Sequence, residues 1–359
     1  MLPTPLGDVA GMSDGRCLSW LGLRYAHATR WEPPKAVKPW SPSVREATSE
    51  GPSCPQPPNL ESSARQSEDC LYINVFLPAA GLSVNRTLAF IHGGGYTSGS
   101  IGRIYDGTFT YDGCGLAAER GLAVVTMQYR LGVLGWMTRR GAIKANLGLR
   151  DANTALRFAR QLLGPAAARL LLFGQSAGSE MVAAHLASPL LHSVNVVDPP
   201  LIHAAALFDG YFVGKDPQTA DATADRFLKE SPCASHIRCS CASHIRCSGV
   251  NGACTGTWTA AALDCLHRLS VVDLLAVQSR VLAMEMEEAS LTAYRFRGNS
   301  SGATALTDAA ASSAVAASFS FQVSAARSVN SHQHSCTQFV LPDSRLLTLG
   351  LCYIIAAIS

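Results

Sequence analysis

The stretch LLLFGQSAGSE, residues 170–180, runs an apolar segment straight into Gly174-Gln175-Ser176-Ala177-Gly178 and then into a helix-forming tract. Leu170 to Phe173 read as a buried parallel strand, and Ala177 to Leu186 contain no helix breaker after Gly178. A strand that turns so abruptly into a helix strains the backbone at the bend. Small residues two positions to either side let the two segments pass. In a chain with 30 glycines the pattern G-x-S-x-G carries little weight alone; the flanking strand and helix give it weight. Ser176 is therefore a candidate nucleophile presented at a sharp bend.

A second segment, LAFIHGGGYTSGS at 88–100, ends an apolar run from Leu88 to Ile91 at His92-Gly93-Gly94-Gly95. Glycines here let bare backbone N–H groups face a ligand. When a hydroxyl attacks a carbonyl, an oxyanion develops, and preorganised N–H donors stabilise it. The amides of Gly94, Gly95 and Ala177 are the candidate donors. Paired with the bend some eighty residues later, a glycine-rich turn is better read as part of an acyl-transfer site than as a plain loop.

Alternating apolar runs and helical tracts set the coarse organisation. Leu71 to Leu77, Leu88 to Ile91, Leu122 to Gln128 and Ile202 to Phe208 read as strands, and Asn146 to Leu163 as a helix. The order implies an α/β fold: a central, mostly parallel sheet with helices on both faces.

Apolar residues make up 48% of the chain, ample for a core, while charged residues are only 15% against about 25% in typical soluble domains. The net charge of +3 is scattered, with no basic run and no interleaved aromatics, so a nucleic-acid partner is not expected. Twelve cysteines and two N-glycosylation sequons, at Asn85-Arg86-Thr87 and Asn299-Ser300-Ser301, favour the secretory route. The opening residues MLPTPLGDVAG have neither the basic nor the apolar region of a signal peptide. Residues 233–248 are a tandem copy of CASHIRCS, each copy spacing Cys, His and Cys three apart. A duplicated loop explains this better than a zinc site, and no metal is expected. From Ala283 onward Ala and Ser supply 28 of 77 residues and lysine is absent, a low-complexity composition. The apolar run Leu346 to Ile358 is thirteen residues long, short of the ~20 needed to span a bilayer.

Further motifs complete the picture: SEDCLYINVFLP (67–78), YRLGVLGWM (129–137), NLGLRDANTALRF (146–158), WLGLRYA (20–26) and RWEPPKAVKPW (30–40). With the bend and the glycine turn, this sequence resembles the type-B carboxylesterases of the α/β-hydrolase fold, from about Leu6 to Ser279. The resemblance implies a carboxylic-ester hydrolase acting on a small-molecule ester through Ser176, with no cofactor. The hydrolase domain would fill 1–282, truncated, and a tail of uncertain structure 283–359. It also implies a Cys54–Cys70 bridge, and a bridge from Cys233 or Cys239 to Cys265. The short loop PQPPNLESSARQSED (55–69) lacks the aromatic residue with which cholinesterases hold a quaternary ammonium, which argues against a choline ester.

One part of the family pattern is missing. Members place an acid and then a histidine after the serine, in G-x-x-x-D/E-G and G-x-x-H-G segments that this chain does not contain. The acids left near the end are Asp308 and Asp343, and the histidines His332 and His334 stand in a polar SHQHSC segment; these read as surface residues. His92, His185 and His203 read as packing or strand-end residues. The competing expectation is an inactive hydrolase-fold module used for binding, as in the family's adhesion relatives, or a fragment without function. The persistence of Ser176 favours the enzyme.

Overall fold

The computed structural model of the protein describes residues 1–58, 65–79, 84–102, 104–105, 108–188, 201–210, 215–239, 256–298, 337–340 and 346–349. The chain divides into two compact units, one of Met1–Leu131, Leu147–Phe212 and Ala325–Ser359, the other of Gly132–Asn146 and Val213–Ser324.

The first unit is built on a sheet of nine strands among the described residues. In spatial order these are Leu346–Leu349, Thr337–Val340, Ala204–Phe208, Arg169–Gln175, Arg86–Ile91, Ala123–Met127, Tyr72–Pro78, Cys17–Arg24 and Met12–Ser13. The four strands from Ala204–Phe208 to Ala123–Met127 run parallel. All strands outside them pair antiparallel, so the sheet is mixed, with its parallel part confined to the centre. Every residue of Ala123–Met127 is buried, the pattern of a strand covered on both faces.

The expected strands and helix appear with boundaries moved by one or two residues. Tyr72–Pro78 replaces Leu71 to Leu77, Ala204–Phe208 begins two residues after Ile202, and the helix runs Leu147–Leu163. That helix turns Leu149, Ala152, Leu156, Ala159 and Leu163 inward. The connection after it is a single 3-10 turn, Gly164–Ala167, whose Ala166 carbonyl accepts from the Thr87 hydroxyl at 2.9 Å. Of the segment 30–40 only Lys35–Ala36 forms a strand, paired with Ala26–His27.

The two resemblance motifs YRLGVLGWM and NLGLRDANTALRF meet through a buried ion pair. Arg130 Nε and Nη2 donate to the two carboxylate oxygens of Asp151 at 2.8 and 2.7 Å, and the Arg130 amide adds a third bond at 3.1 Å. Both side chains are almost wholly buried, so the forked geometry is what makes the charges tolerable there.

A second polar link joins strand Tyr72–Pro78 to the N-terminal region. Asn74 Oδ1 accepts from the Gly22 amide at 2.9 Å, and its Nδ2 lies 3.0 Å from both oxygens of Glu50. Burial raises the Glu50 pKa to about 7, against a smaller lowering by the Asn74 amide. The folded chain thus holds this proton more tightly than the unfolded chain, whose carboxyl titrates near 4.5, so stability is lost as pH rises from 4.5 through about 7. Glu50→Gln is expected to add about 2–3 kcal/mol to stability at about pH 8 and little at about pH 4. Urea melts at the two pH values check this, and equal effects at both would show that the carboxyl is not shifted.

Three disulfides cross-link the described chain. Cys54–Cys70 spans 16 residues and Cys233–Cys265 spans 32; of the two cysteines expected to reach Cys265, the structure uses Cys233. Cys17–Cys114 spans 97 residues and joins the first residue of strand Cys17–Arg24 to the first residue of helix Cys114–Arg120. By loop-closure entropy the 16- and 97-residue links are worth about 3 and 4–5 kcal/mol.

The second unit is mainly helical: Gly132–Trp136, Pro217–Glu230, Ala260–Arg268 and Val271–Gly298, with a two-stranded pair of Ile237–Cys239 and Gly256–Trp258. Asp216 caps its helix by accepting from the amides of Gln218 and Thr219, with Pro217 in the first turn. Gln278 Oε1 accepts from the Val133 amide at 2.8 Å. The last helix runs past residue 283 to Gly298, and Leu346–Leu349 and Thr337–Val340 are the outermost and second strands on one side of the sheet in the first unit. Composition alone marked this region as low in complexity and foretold none of these elements. No helix among the described residues is long and apolar enough to cross a membrane.

Candidate active site

Strand register brings the two sequence motifs to one edge of the sheet. Gly174 pairs with Ile91, Ile91 with Met127, and Gln175 with Phe208, so all four parallel strands end at one level. Ser176 leaves Arg169–Gln175 there and opens the helix Ala177–Ala187. Its backbone sits at φ 55°, ψ −126°, a region that side chains rarely occupy, and its amide donates to Phe208 O at 2.8 Å. Two glycines make the bend possible. A Cβ on Gly174 would lie 2.3 Å from the Gly178 backbone, and one on Gly178 only 2.1 Å from Ile91 O. Ser176 is half-buried and its hydroxyl makes no capping bond to the helix, which leaves it available at the sheet edge.

The glycine turn abuts this bend: a Cβ on Gly93 would lie 3.0 Å from the Ser176 Cβ. Gly94 and Gly95 both take positive φ, 112° and 58°. The Gly94 carbonyl points into its own turn and accepts from the amides of Thr97 and Ser98 at 3.1 and 3.0 Å. Among the described residues neither the Gly94 nor the Gly95 amide donates to another backbone group. Ala177 is the first residue of the helix, where N–H groups lack an intrahelical acceptor and the helix dipole favours negative charge.

Residues that sequence reading passed over hold this turn in place. Buried Gln56 grips Gly99 by both its peptide groups, accepting from the amide at 2.9 Å and donating to the carbonyl at 2.9 Å, and it donates also to Cys54 O at 3.1 Å. Gly99 cannot be otherwise, since a Cβ there would lie 2.4 Å from His92 Nδ1. Next to it the Ser100 hydroxyl receives Ser53 at 2.8 Å and Gln128 at 3.0 Å. The Cys54–Cys70 bridge therefore anchors the strap that carries Gln56. A glutamine set directly after Cys54-Pro55 was the signal that could have exposed this role. On the other side of the turn, Tyr96 donates to Glu180 Oε2 at 2.8 Å.

The histidines are placed elsewhere. His92 is buried, donates from Nδ1 to Gly93 O at 2.8 Å and stacks on Tyr129 with ring centroids 4.4 Å apart. Burial pulls its pKa down to about 4, so its ring packs as a neutral group. His185 is likewise buried, with Nδ1 on Met181 O at 2.7 Å and a pKa near 4 from desolvation. His203 accepts from the Leu170 amide at 3.3 Å, at the opposite end of strand Arg169–Gln175, about 20 Å from Ser176 at 3.3 Å per residue. None of the described histidines hydrogen-bonds Ser176. Asp308, Asp343, His332, His334 and Asn299 lie outside the described residues. Asn85 is exposed at the start of Arg86–Ile91, while the Thr87 of its sequon is buried. Among the described residues no three His, Cys, Asp or Glu side chains gather as metal ligands, and Cys233 of the repeat is taken up in a disulfide.

A parallel strand, a serine in a forbidden corner of backbone space and a facing glycine turn define an α/β-hydrolase. The sequence matches the profile of the Carboxylesterase family over residues 1–343, and the chain belongs to that family. It is 30% identical over 302 residues to the para-nitrobenzyl esterase of Bacillus subtilis (strain 168), covering 80% of this chain and 54% of that protein. It is 32% identical over 241 residues to the acylcarnitine hydrolase of Mus musculus (60% and 40%) and 33% identical over 216 residues to Mus musculus neuroligin-2 (47% and 25%). Among solved structures a thermophilic pNB esterase superposes with a TM-score of 0.64 at 30% identity, covering 79% of this chain and 54% of the other. The chain spans about half the length of the curated esterase it matches over most of its own length.

Proposed function

We propose that this chain carries the nucleophile and oxyanion site of a serine carboxylic-ester hydrolase. Ser176 Oγ attacks the carbonyl of a small uncharged ester. The amides of Gly94, Gly95 and Ala177 hold the oxyanion, and the alcohol leaves to give an acyl-enzyme that water hydrolyses. The observation that carries this reading is the Ser176 backbone at φ 55°, ψ −126°, opposite Gly93. Strain of this kind persists only where the surroundings enforce it, and here it presents a hydroxyl beside bare amides. Acyl transfer of this type calls for no metal or organic cofactor. Three disulfides and the exposed sequon at Asn85 support passage through the secretory pathway.

Turnover also needs a base for the hydroxyl proton, and His92, His185 and His203 do not serve. The second reading is a hydrolase fold that binds a ligand without turning it over. Incubation with a fluorophosphonate, followed by peptide mass spectrometry and an assay on a short-chain nitrophenyl ester, separates the two. An adduct on Ser176 together with turnover supports the enzyme. An adduct without turnover identifies a site that lacks its base, and an unmodified Ser176 removes the nucleophile from the proposal.

A further inference from the structure

We infer that Tyr96 and Glu180 form a positioning pair that locks the oxyanion turn to the nucleophile's own helix, an inference that rests on the serine chemistry proposed above. Tyr96 directly follows Gly95, is 2% exposed, and stands at φ 63°, a conformation that a bulky aromatic holds only when its surroundings impose it. Its hydroxyl donates to Glu180 Oε2 at 2.8 Å. Glu180 lies in the first turn of the helix that Ser176 opens, and its own amide donates to Ser176 O at 3.2 Å. The bond therefore ties the residue after the glycine turn to the turn of helix after the nucleophile, 84 residues apart in sequence.

Burial and the neighbouring Glu180 carboxylate both push the Tyr96 phenol up from its ordinary range, so it stays a neutral donor. A hydrogen bond to a carboxylate is among the stronger ones in a protein, and here it spans the gap that the oxyanion amides must keep to ångström tolerance. Gly93, Gly94 and Gly95 have no side chains to pack, and Gln56 grips the far end of the loop at Gly99. Glu180 also sets a negative charge in the first turn of the helix whose dipole assists the oxyanion. Its catalytic value is then mechanical: the carboxylate is retained for the bond it accepts, and a neutral acceptor in its place keeps that tie in weaker form.

The test compares wild type with Tyr96→Phe, Glu180→Ala and Glu180→Gln by hydrogen exchange over residues 93–99 and by the second-order rate of fluorophosphonate reaction at Ser176. Tyr96→Phe and Glu180→Ala are expected to speed exchange and slow phosphonylation by about tenfold each, the loss of one charge-assisted bond, with no further loss in the double variant. Glu180→Gln, which keeps an acceptor at that position, is expected to recover part of both. For hydrolysis the loss appears in kcat with KM unchanged. Unaltered exchange in Tyr96→Phe overturns the positioning role regardless of any ester chemistry. Faster exchange with undiminished phosphonylation overturns the link to catalysis. A wild type that never reacts at Ser176 is the failure of the serine reading itself, and the catalytic part of the inference falls with it.

Discussion

On the serine chemistry proposed above, Ser176→Ala is expected to abolish fluorophosphonate labelling and to lower whatever ester turnover the wild type shows by up to about 10⁶-fold while leaving the fold intact. Alanine carries the same Cβ into the same positive-φ backbone, so the strain at the bend does not change, and the amide bond to Phe208 O is kept. The amides of Gly94, Gly95 and Ala177 also remain, so ester binding persists and the loss falls on kcat. Labelling, steady-state kinetics and a thermal melt on one preparation check all three points. A variant that kept turnover within about tenfold of wild type would remove Ser176 from the mechanism.

The second large effect is structural. Gly178→Ala is expected to leave no folded protein, or to cost more than about 4 kcal/mol, the range reached only by severe core disruption. The new Cβ would sit 2.1 Å from Ile91 O and 2.8 Å from His92 O, backbone atoms of the last residue of a central strand and of the residue after it, which have no freedom to withdraw. The gain in helix propensity, about 1 kcal/mol, cannot offset that overlap. Gly115 supplies the control. It lies in helix Cys114–Arg120 with nothing within 4 Å of a Cβ, so Gly115→Ala is expected to be neutral or to stabilise by up to about 1 kcal/mol. Urea denaturation of the two variants checks the opposite signs. A well-folded Gly178→Ala with wild-type stability would mean that the helix does not cross the glycine-turn strand this closely.

Much of the site was legible before any coordinates. The bend at Ser176 and the glycines around it are steric requirements of a strand that turns into a helix, and steric requirements leave residues in the sequence. Strand directions at the sheet edges were not legible, because apolar runs such as Leu71 to Leu77 look alike whether their neighbours run parallel or antiparallel. Gln56 was overlooked because its one signal, its place directly after Cys54-Pro55, has no periodicity and does not say which distant group it meets, though it turns out to hold both peptide groups of Gly99. The pairing of Cys54 with Cys70 came from family resemblance, and nothing comparable pointed to Cys17 and Cys114, 97 residues apart.

By itself the sequence determined the local geometry: where the chain extends, where Gly174 and Gly178 let it fold back, where Gly93 to Gly95 let it turn. Such features arise from forces acting over a few residues, chiefly sterics and backbone freedom. Only the tertiary structure decided which distant groups share a site: Tyr96 with Glu180, Gln56 with Gly99, Arg130 with Asp151. Those partners are chosen by strand register and packing, which bring together side chains 21 to 84 positions apart, and no short window of sequence records them.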